Sequence, residues 1–243
     1  ESMGHNDFIN SRYASLKRDT IENNKLGTLM ADCNYGFVVD SSYISSNSCQ
    51  LCYVNELKDN GDSASYCVLN SQVINNVTTF VGGKDSSFVY VNANGPTDMF
   101  VFHRTMFSGN NCNLGVFDLT SMNVLISQSL IKDNISNTTL IQVPKSKIDI
   151  NQSSIIGNTV GSDIIFSPHG TLFMKNSTMA LNECGSDLIS NYPGTNITLI
   201  NNSIVGNSAK LENKFPSGIY PVELLGNIIV GNSFDVATPD LCE

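Results

Sequence analysis

Ile148-Asp-Ile-Asn-Gln-Ser-Ser-Ile-Ile-Gly-Asn158 is followed one repeat later by Leu172-Phe-Met-Lys-Asn-Ser-Thr-Met-Ala-Leu-Asn182 and preceded one repeat earlier by Val124-Leu-Ile-Ser-Gln-Ser-Leu-Ile-Lys-Asp-Asn134. The three stretches hold a pattern constant rather than a spelling: apolar residues ten, eight and three places before the closing asparagine, and a small polar residue five places before it. Followed outward, the frame returns nine times, closing on Asn24, Asn47, Asn76, Asn110, Asn134, Asn158, Asn182, Asn207 and Asn232, with successive steps of 23, 29, 34, 24, 24, 24, 25 and 25. Self-similarity at a fixed period of about 24 residues marks a solenoid.

The minus-ten and minus-eight residues stand two apart between mostly polar neighbours, which predicts a short strand with one buried face. They run from Ala14 and Leu16 through Ile148 and Ile150 to Val222 and Leu224. The small polar residue at minus five, Asp19 and Ser42 at one end and Asn202 and Asn227 at the other, predicts a bend. A second short strand carries the minus-three residue, Ile21 through Ile229, and the asparagine closes it. Six or seven places on, the pairs Val116/Phe117, Leu140/Ile141, Ile164/Ile165 and Leu188/Ile189 predict a third strand. The expected fold is all-β: a parallel β-helix solenoid of about nine coils of about 24 residues, with three short strands per coil. Its hand is taken as right-handed from the rule for parallel crossovers. A horseshoe repeat has one strand per unit and a Leu-rich consensus, which this chain lacks. Stacked coils stand about 4.8 Å apart, so each asparagine is expected to donate to the next, and to supply the left-handed backbone that a tight corner demands.

An unbroken set of columns from residue 14 to residue 232 argues for one domain, 1–243, with coils from about 12 to 242. Coils begin so near the start and close so near the end that the chain is expected to be a piece of a longer surface protein. Charged residues make up 14% of the chain, so solubility rests on Asn, Ser and Thr. A formal charge of −9 with no basic cluster argues against a nucleic-acid partner. No apolar run approaches the length of a membrane-spanning helix.

Cys49, Cys112 and Cys184 all fall two places after a ladder asparagine and are expected to be small buried core residues. Cys52 and Cys67 bracket a polar stretch and are candidates for a disulfide in an oxidising compartment. The CxxC formed by Cys49 and Cys52 has no second CxxC and no histidine cluster, which disfavours zinc. The histidines, His5, His103 and His169, have no nucleophile at a recognisable spacing.

The irregular steps carry the candidate site. The long intervals after Asn47 and Asn76 place insertions in residues 48–65 and 77–99, two successive coils extended on one side, where solenoids often bind. Tyr53, Glu56, Asp59, Asp62, Phe88 and Tyr90 are the candidate ligand-binding residues there. A second constellation is Gly161-Ser-Asp163, repeated as Gly185-Ser-Asp187, with Glu212 at the same offset one coil on. Stacked carboxylates suit calcium, or raise one another's pKa to form an acid/base pair; alternatively each caps its own turn and faces solvent. No cofactor is expected, calcium being the one candidate.

The coil pattern resembles the right-handed parallel β-helix superfold of pectate lyases, polygalacturonases, phage tailspikes and autotransporter passenger domains. Phe107-Ser-Gly-Asn110 and Ile204-Val-Gly-Asn207 resemble the Phe-x-x-Asn repeat of polymorphic outer-membrane autotransporters, and Ser154-Ile-Ile-Gly-Asn158 is similar to the repeats of large bacterial surface β-helix proteins. The companion Gly-Gly-Ala motif is represented by Gly82-Gly83 alone. The resemblance implies an extracellular or outer-membrane location and a non-enzymatic adhesin or passenger module that binds a host-surface protein or a glycan. The alternative it implies is a polysaccharide-active lyase or hydrolase, or a tailspike-like fibre. The polygalacturonase signatures are absent apart from Pro168-His169-Gly170, and the chain has no tryptophan on which a sugar ring would stack.

Overall fold

The computed structural model describes residues 9–10, 12–31, 33, 35–55, 63–78, 87–93, 97–190, 195–209 and 222–233. They form an all-β parallel solenoid without a helix, in which about seven turns of about 24 residues carry the full set of strands. Sheet 2 is built from the minus-eleven to minus-seven segments, nine strands from Tyr13–Lys17 to Val222–Leu225. Sheet 3 is built from the minus-four to minus-two segments, nine strands from Thr20–Glu22 to Ile228–Val230. Every pairing in both is parallel and keeps the columns in step: Leu125 stands opposite Asp149, and Ile131 opposite Ile155. Among the described residues no helix is long and apolar enough to cross a membrane.

Sheet 1 closes the coil and is less uniform. In the first two coils it is a single strand per turn, Lys25–Ala31 and Ser48–Asn55. From the third coil it splits in two, as in Asn111–Cys112 followed by Phe117–Thr120, and a fourth corner appears between the halves. The expected third strand is the second half of this split. The first half, directly after the ladder asparagine, is too short to show an alternation and leaves no signal in the sequence.

The predicted columns are the core. From the second coil to the eighth the minus-eight residues, Val39 to Leu199, are at most 2% exposed. In the early coils the core is aromatic: Phe37 meets Tyr66 edge-on at 5.5 Å, Phe102 meets Phe117 at 4.8 Å, and Phe107 lies 4.7 Å from Phe117. Later coils replace these rings with Val, Ile, Leu and Met at the same positions.

The asparagine ladder runs without a gap from Asn24 to Asn232. Asn134 shows its wiring. Its Oδ1 accepts from the backbone N–H and the side-chain amide of Asn110, and its Nδ2 donates forward to Asn158 Oδ1 and back to the Phe107 carbonyl. Both amide hydrogens are used, so a fully buried polar side chain is satisfied. A parallel ladder lies at minus five, where the backbone N–H donates to the next side-chain oxygen, Thr105 to Ser129 to Ser153 to Ser177, and then to Asn202 and Asn227; it is interrupted before Thr105, whose Oγ1 donates to the Val68 and His103 carbonyls. The serines and the asparagines at this position do the same work.

One expectation about the corners is corrected. The left-handed residue is not the ladder asparagine but the one before it: Asn23, Ser46, Asn75, Gly109, Asp133, Gly157, Leu181, Gly206 and Gly231 all have φ between 53 and 66°. The residue before the minus-five position does the same, from Arg18 to Gly226, and Ser121, Lys145 and His169 repeat it at the third corner. The first two corners of each coil therefore pair a left-handed outward residue with a polar inward one, whereas at the third the inward residue is Met122, Ser146 or Gly170. The inward residue satisfies the backbone groups of its neighbours, and the outward one reverses the chain.

Leu181 is the misfit in this series. It holds φ 55° and is 64% exposed, where the coils on either side have Gly157 and Gly206. A leucine there bears the Cβ–carbonyl clash of the left-handed region and gains little burial. Leu181→Asn is expected to stabilise the protein by about 1 kcal/mol, read as a higher urea midpoint at unchanged slope. A midpoint that stays put or falls would show that the corner carries no strain.

Candidate functional site

Sheets 2 and 3 run nine rungs without interruption, and every departure from the period falls on the sheet 1 side. Residues 56–62 follow the strand Ser48–Asn55, residues 79–86 separate Val77–Thr78 from Val89–Asn92, and residues 94–96 follow the latter. The second insertion is therefore divided between two places, not added at one. Because Val89 pairs with both Cys52 and Phe117, the chain returns to register after residue 86.

The candidate ligand-binding residues separate accordingly. Glu56, Asp59 and Asp62 lie outside the described residues, as does the side chain of Tyr53. Tyr90 stands on the outward side of its strand, half-buried, opposite Tyr53 and Asp118. Phe88 is not a surface residue. It is fully buried, edge-on to Phe107 at 5.5 Å, and its carbonyl accepts from Leu51 N–H. Phe88-Val89 is the same apolar pair as Val116-Phe117 one coil on; the insertion displaced it from the expected offset and hid the match.

Cys67 carries a free thiol on sheet 2, and Cys52 stands on sheet 1, so the expected disulfide between them is not formed. Cys49, Cys112 and Cys184 are buried free thiols, as their column implied. Burial pushes Cys49 and Cys184 up to about 12, with Asp163 and Asp187 adding to the shift of Cys184. These thiols are unreactive at neutral pH. His103 Nδ1 lies 2.9 Å from Ser127 Oγ, on the outer side of sheet 2.

The acidic column is built on the fourth corner. Asp163 is 5% exposed; its Oδ1 accepts from Asp187 N–H at 2.9 Å and its Oδ2 from Ser162 Oγ at 3.1 Å. It thus caps the next coil's turn and is turned inward, where the simpler expectation had each aspartate capping its own turn and facing solvent. Gly161 and Gly185 permit the coils to approach this closely. A Cβ on Gly185 would lie 2.0 Å from the Gly161 carbonyl oxygen, and one on Gly161 2.1 Å from that of Asn137. Glu212 lies outside the described residues, and among them no group of three His, Cys, Asp or Glu is placed to hold a metal ion.

Burial first, and then the carboxylate of Asp163, raise Asp187 to about 6 from its ordinary 3.8. The folded chain therefore keeps a proton that the unfolded chain releases between those values, and stability falls as pH rises through that window. Asp187→Asn is expected to remove this fall. Urea midpoints of variant and parent should coincide near the acid end of the window and separate above about pH 6, the variant being higher; equal midpoints at neutral pH would contradict the raised pKa.

Comparison with protein-family models gives no match, and comparison with curated proteins gives none either.

Proposed function

We propose that the chain is a non-enzymatic binding module of adhesin type, displayed at a cell surface, that contacts a host-surface protein or a glycan along the sheet 1 side. The observation that carries this reading is the segregation of irregularity: two sheets repeat through nine rungs, while residues 56–62, 79–86 and 94–96 all interrupt the third side within two neighbouring coils. A binding surface of this kind asks little of the solenoid beyond a stiff rod on which variable loops are held at fixed spacing. The Phe-x-x-Asn and Ser-Ile-Ile-Gly-Asn frames, which resemble those of autotransporter passengers and bacterial surface β-helix repeats, support the same reading.

The test is to replace residues 56–62 and 79–86 by short Gly-Ser linkers, leaving Ala64, Phe88 and the strands intact, and to measure binding to host-cell surfaces and to a glycan array. Loss of binding with an unchanged far-UV spectrum is expected. Undiminished binding would remove the loops from the interface, and reducing-sugar release from acidic polysaccharides would replace the reading with an enzymatic one.

A further inference from the structure

Charge is sorted by face. In coils four to seven the outer side of sheet 2 carries Lys147 and Lys175 on its strands, Arg104 at the corner towards sheet 3 and Lys145 at the third corner, all exposed. The one carboxylate among them is Asp149, half-buried at the centre of the face. The other acids of these coils lie elsewhere: Asp98 is buried, Asp118 is on sheet 1, Asp133 is held by Lys132 at 3.1 Å beside sheet 3, and Asp163 caps the fourth corner. Lys132–Asp133 is the one ion pair among the described residues, so Lys145, Lys147 and Lys175 have no carboxylate partner there. A chain of net charge −9 thus turns a locally basic face outward. Stacking assembles it from four separate coils, and no basic run marks it in the sequence.

Strand register gives the face a constant cross-section. Val101, Leu125, Asp149 and Phe173 follow one another along its centre, all half-buried. Towards sheet 3 runs a track of hydrogen-bonding side chains: His103 Nδ1 lies 2.9 Å from Ser127 Oγ, Arg104 Nε donates to Gln128 Oε1 at 2.9 Å, and Gln128 Nε2 donates to Gln152 Oε1 at 3.2 Å. Lys145 and Lys147 stand on the other margin. A mostly apolar stripe between polar, cationic margins matches a sugar ring, which presents C–H groups on its face and hydroxyls and anionic substituents at its edges. A linear glycan laid along the axis also advances by one ring in about the rise of one coil, about 4.8 Å.

We propose that this face binds a linear sulfated polysaccharide along the solenoid axis. Its rings pack over Phe173, Leu125 and Val101. Sulfates on one edge meet Arg104 and Lys175, those on the other meet Lys145 and Lys147, and Asp149 accepts from a ring hydroxyl. The cations favour sulfate over carboxylate. Three of the four are ammonium groups, point charges that a sulfate ester can meet from any side, and the one guanidinium, whose planar fork suits a carboxylate, has its Nε committed to Gln128. Asp149 disfavours an anionic lipid surface, which would set phosphates against the whole face, this carboxylate included. The site is separate from the loops of sheet 1, and its occupant is distinct from theirs.

Binding of a fluorescent heparin octasaccharide to the full chain, followed by anisotropy across a salt series, tests this. Affinity is expected to fall as salt rises. Lys147→Glu combined with Lys175→Glu should weaken binding at low salt by about tenfold or more. Lys25→Glu combined with Lys132→Glu, the same charge change away from the face, should leave it within about twofold. The protein with residues 56–62 and 79–86 replaced should bind the octasaccharide as the parent does, so the two surfaces fail separately: on a glycan array it keeps the sulfated glycans and loses the ligand of sheet 1. A parent that does not bind at low salt would overturn the proposal. An equal loss in the Lys25 and Lys132 variant would do the same, by making binding a matter of net charge. So would equal affinity for the desulfated octasaccharide or for single-stranded DNA, which would leave a site for polyanions at large.

Discussion

Asn158→Ala is expected to cost about 3–6 kcal/mol of stability. Asn158 is fully buried, and its amide is a junction for the coils on both sides. Oδ1 accepts Asn134 N–H at 3.0 Å and Asn134 Nδ2 at 2.9 Å, while Nδ2 donates to Asn182 Oδ1 at 2.9 Å and to the Ile131 carbonyl at 3.1 Å. Alanine leaves two donors of Asn134 and the Ile131 carbonyl buried with nothing to replace the bond. Each such group costs about 1–3 kcal/mol, more than the net worth of the bond it made. The same change at Asn24, half-buried and with no coil before it among the described residues, should cost well under half as much. Urea unfolding of the two variants checks this, and equal losses would mean that the ladder is decorative.

The second large effect is expected from one added methyl group. Gly185→Ala puts a carbon at 2.0 Å from the Gly161 carbonyl oxygen, a backbone atom that cannot turn aside. Relief requires the two coils to part at the fourth corner, where Ser186 N–H bonds Ser162 O and Asp187 N–H bonds Asp163. A loss of about 3 kcal/mol or more is expected, at the upper end of overpacking penalties. Gly115→Ala is the internal control. Its Cβ would stand 3.2 Å from the Thr139 carbonyl oxygen, close enough to be felt and far enough for a small shift to accommodate. If thermal melts show the two alanines equally tolerated, coil spacing at this corner is not set by the glycines.

The architecture was legible in the sequence because stacking converts chemistry into columns. Ile148, Ile150 and Ile155 are each ordinary apolar residues, but their equivalents recur in every coil, and a solenoid is the fold in which such recurrence is required. The asparagines were legible for the same reason. Their backbone role was misassigned because the left-handed position is filled by residues as different as Asn75, Asp133, Gly157 and Leu181; what they share is a conformation, which leaves no single letter behind. The insertions were legible as lengths and not as contents. Phe88 looked like a loop aromatic because its offset from Asn76 differs from that of Val116 from Asn110. Only pairing of Val89 with Phe117 shows that the coil resumes one residue earlier than a surface reading allows. The acids were found by their alignment, but an aspartate pointing inward to cap the next turn and one pointing to solvent are written identically.

The asparagines form one continuous buried ladder in which both side-chain amide hydrogens are held, and the fold depends on it. Hydrogen exchange of the asparagine side-chain amides, followed by NMR, measures this directly. Asn110, Asn134, Asn158 and Asn182 are fully buried, and the Nδ2 of each donates to the ladder residue ahead and a carbonyl behind. Their Nδ2 protons are expected to exchange as slowly as the backbone amides of the strands that flank them, while those of the exposed Asn176 exchange far faster. Ladder amides that exchange as fast as those of Asn176 would contradict a continuous buried ladder.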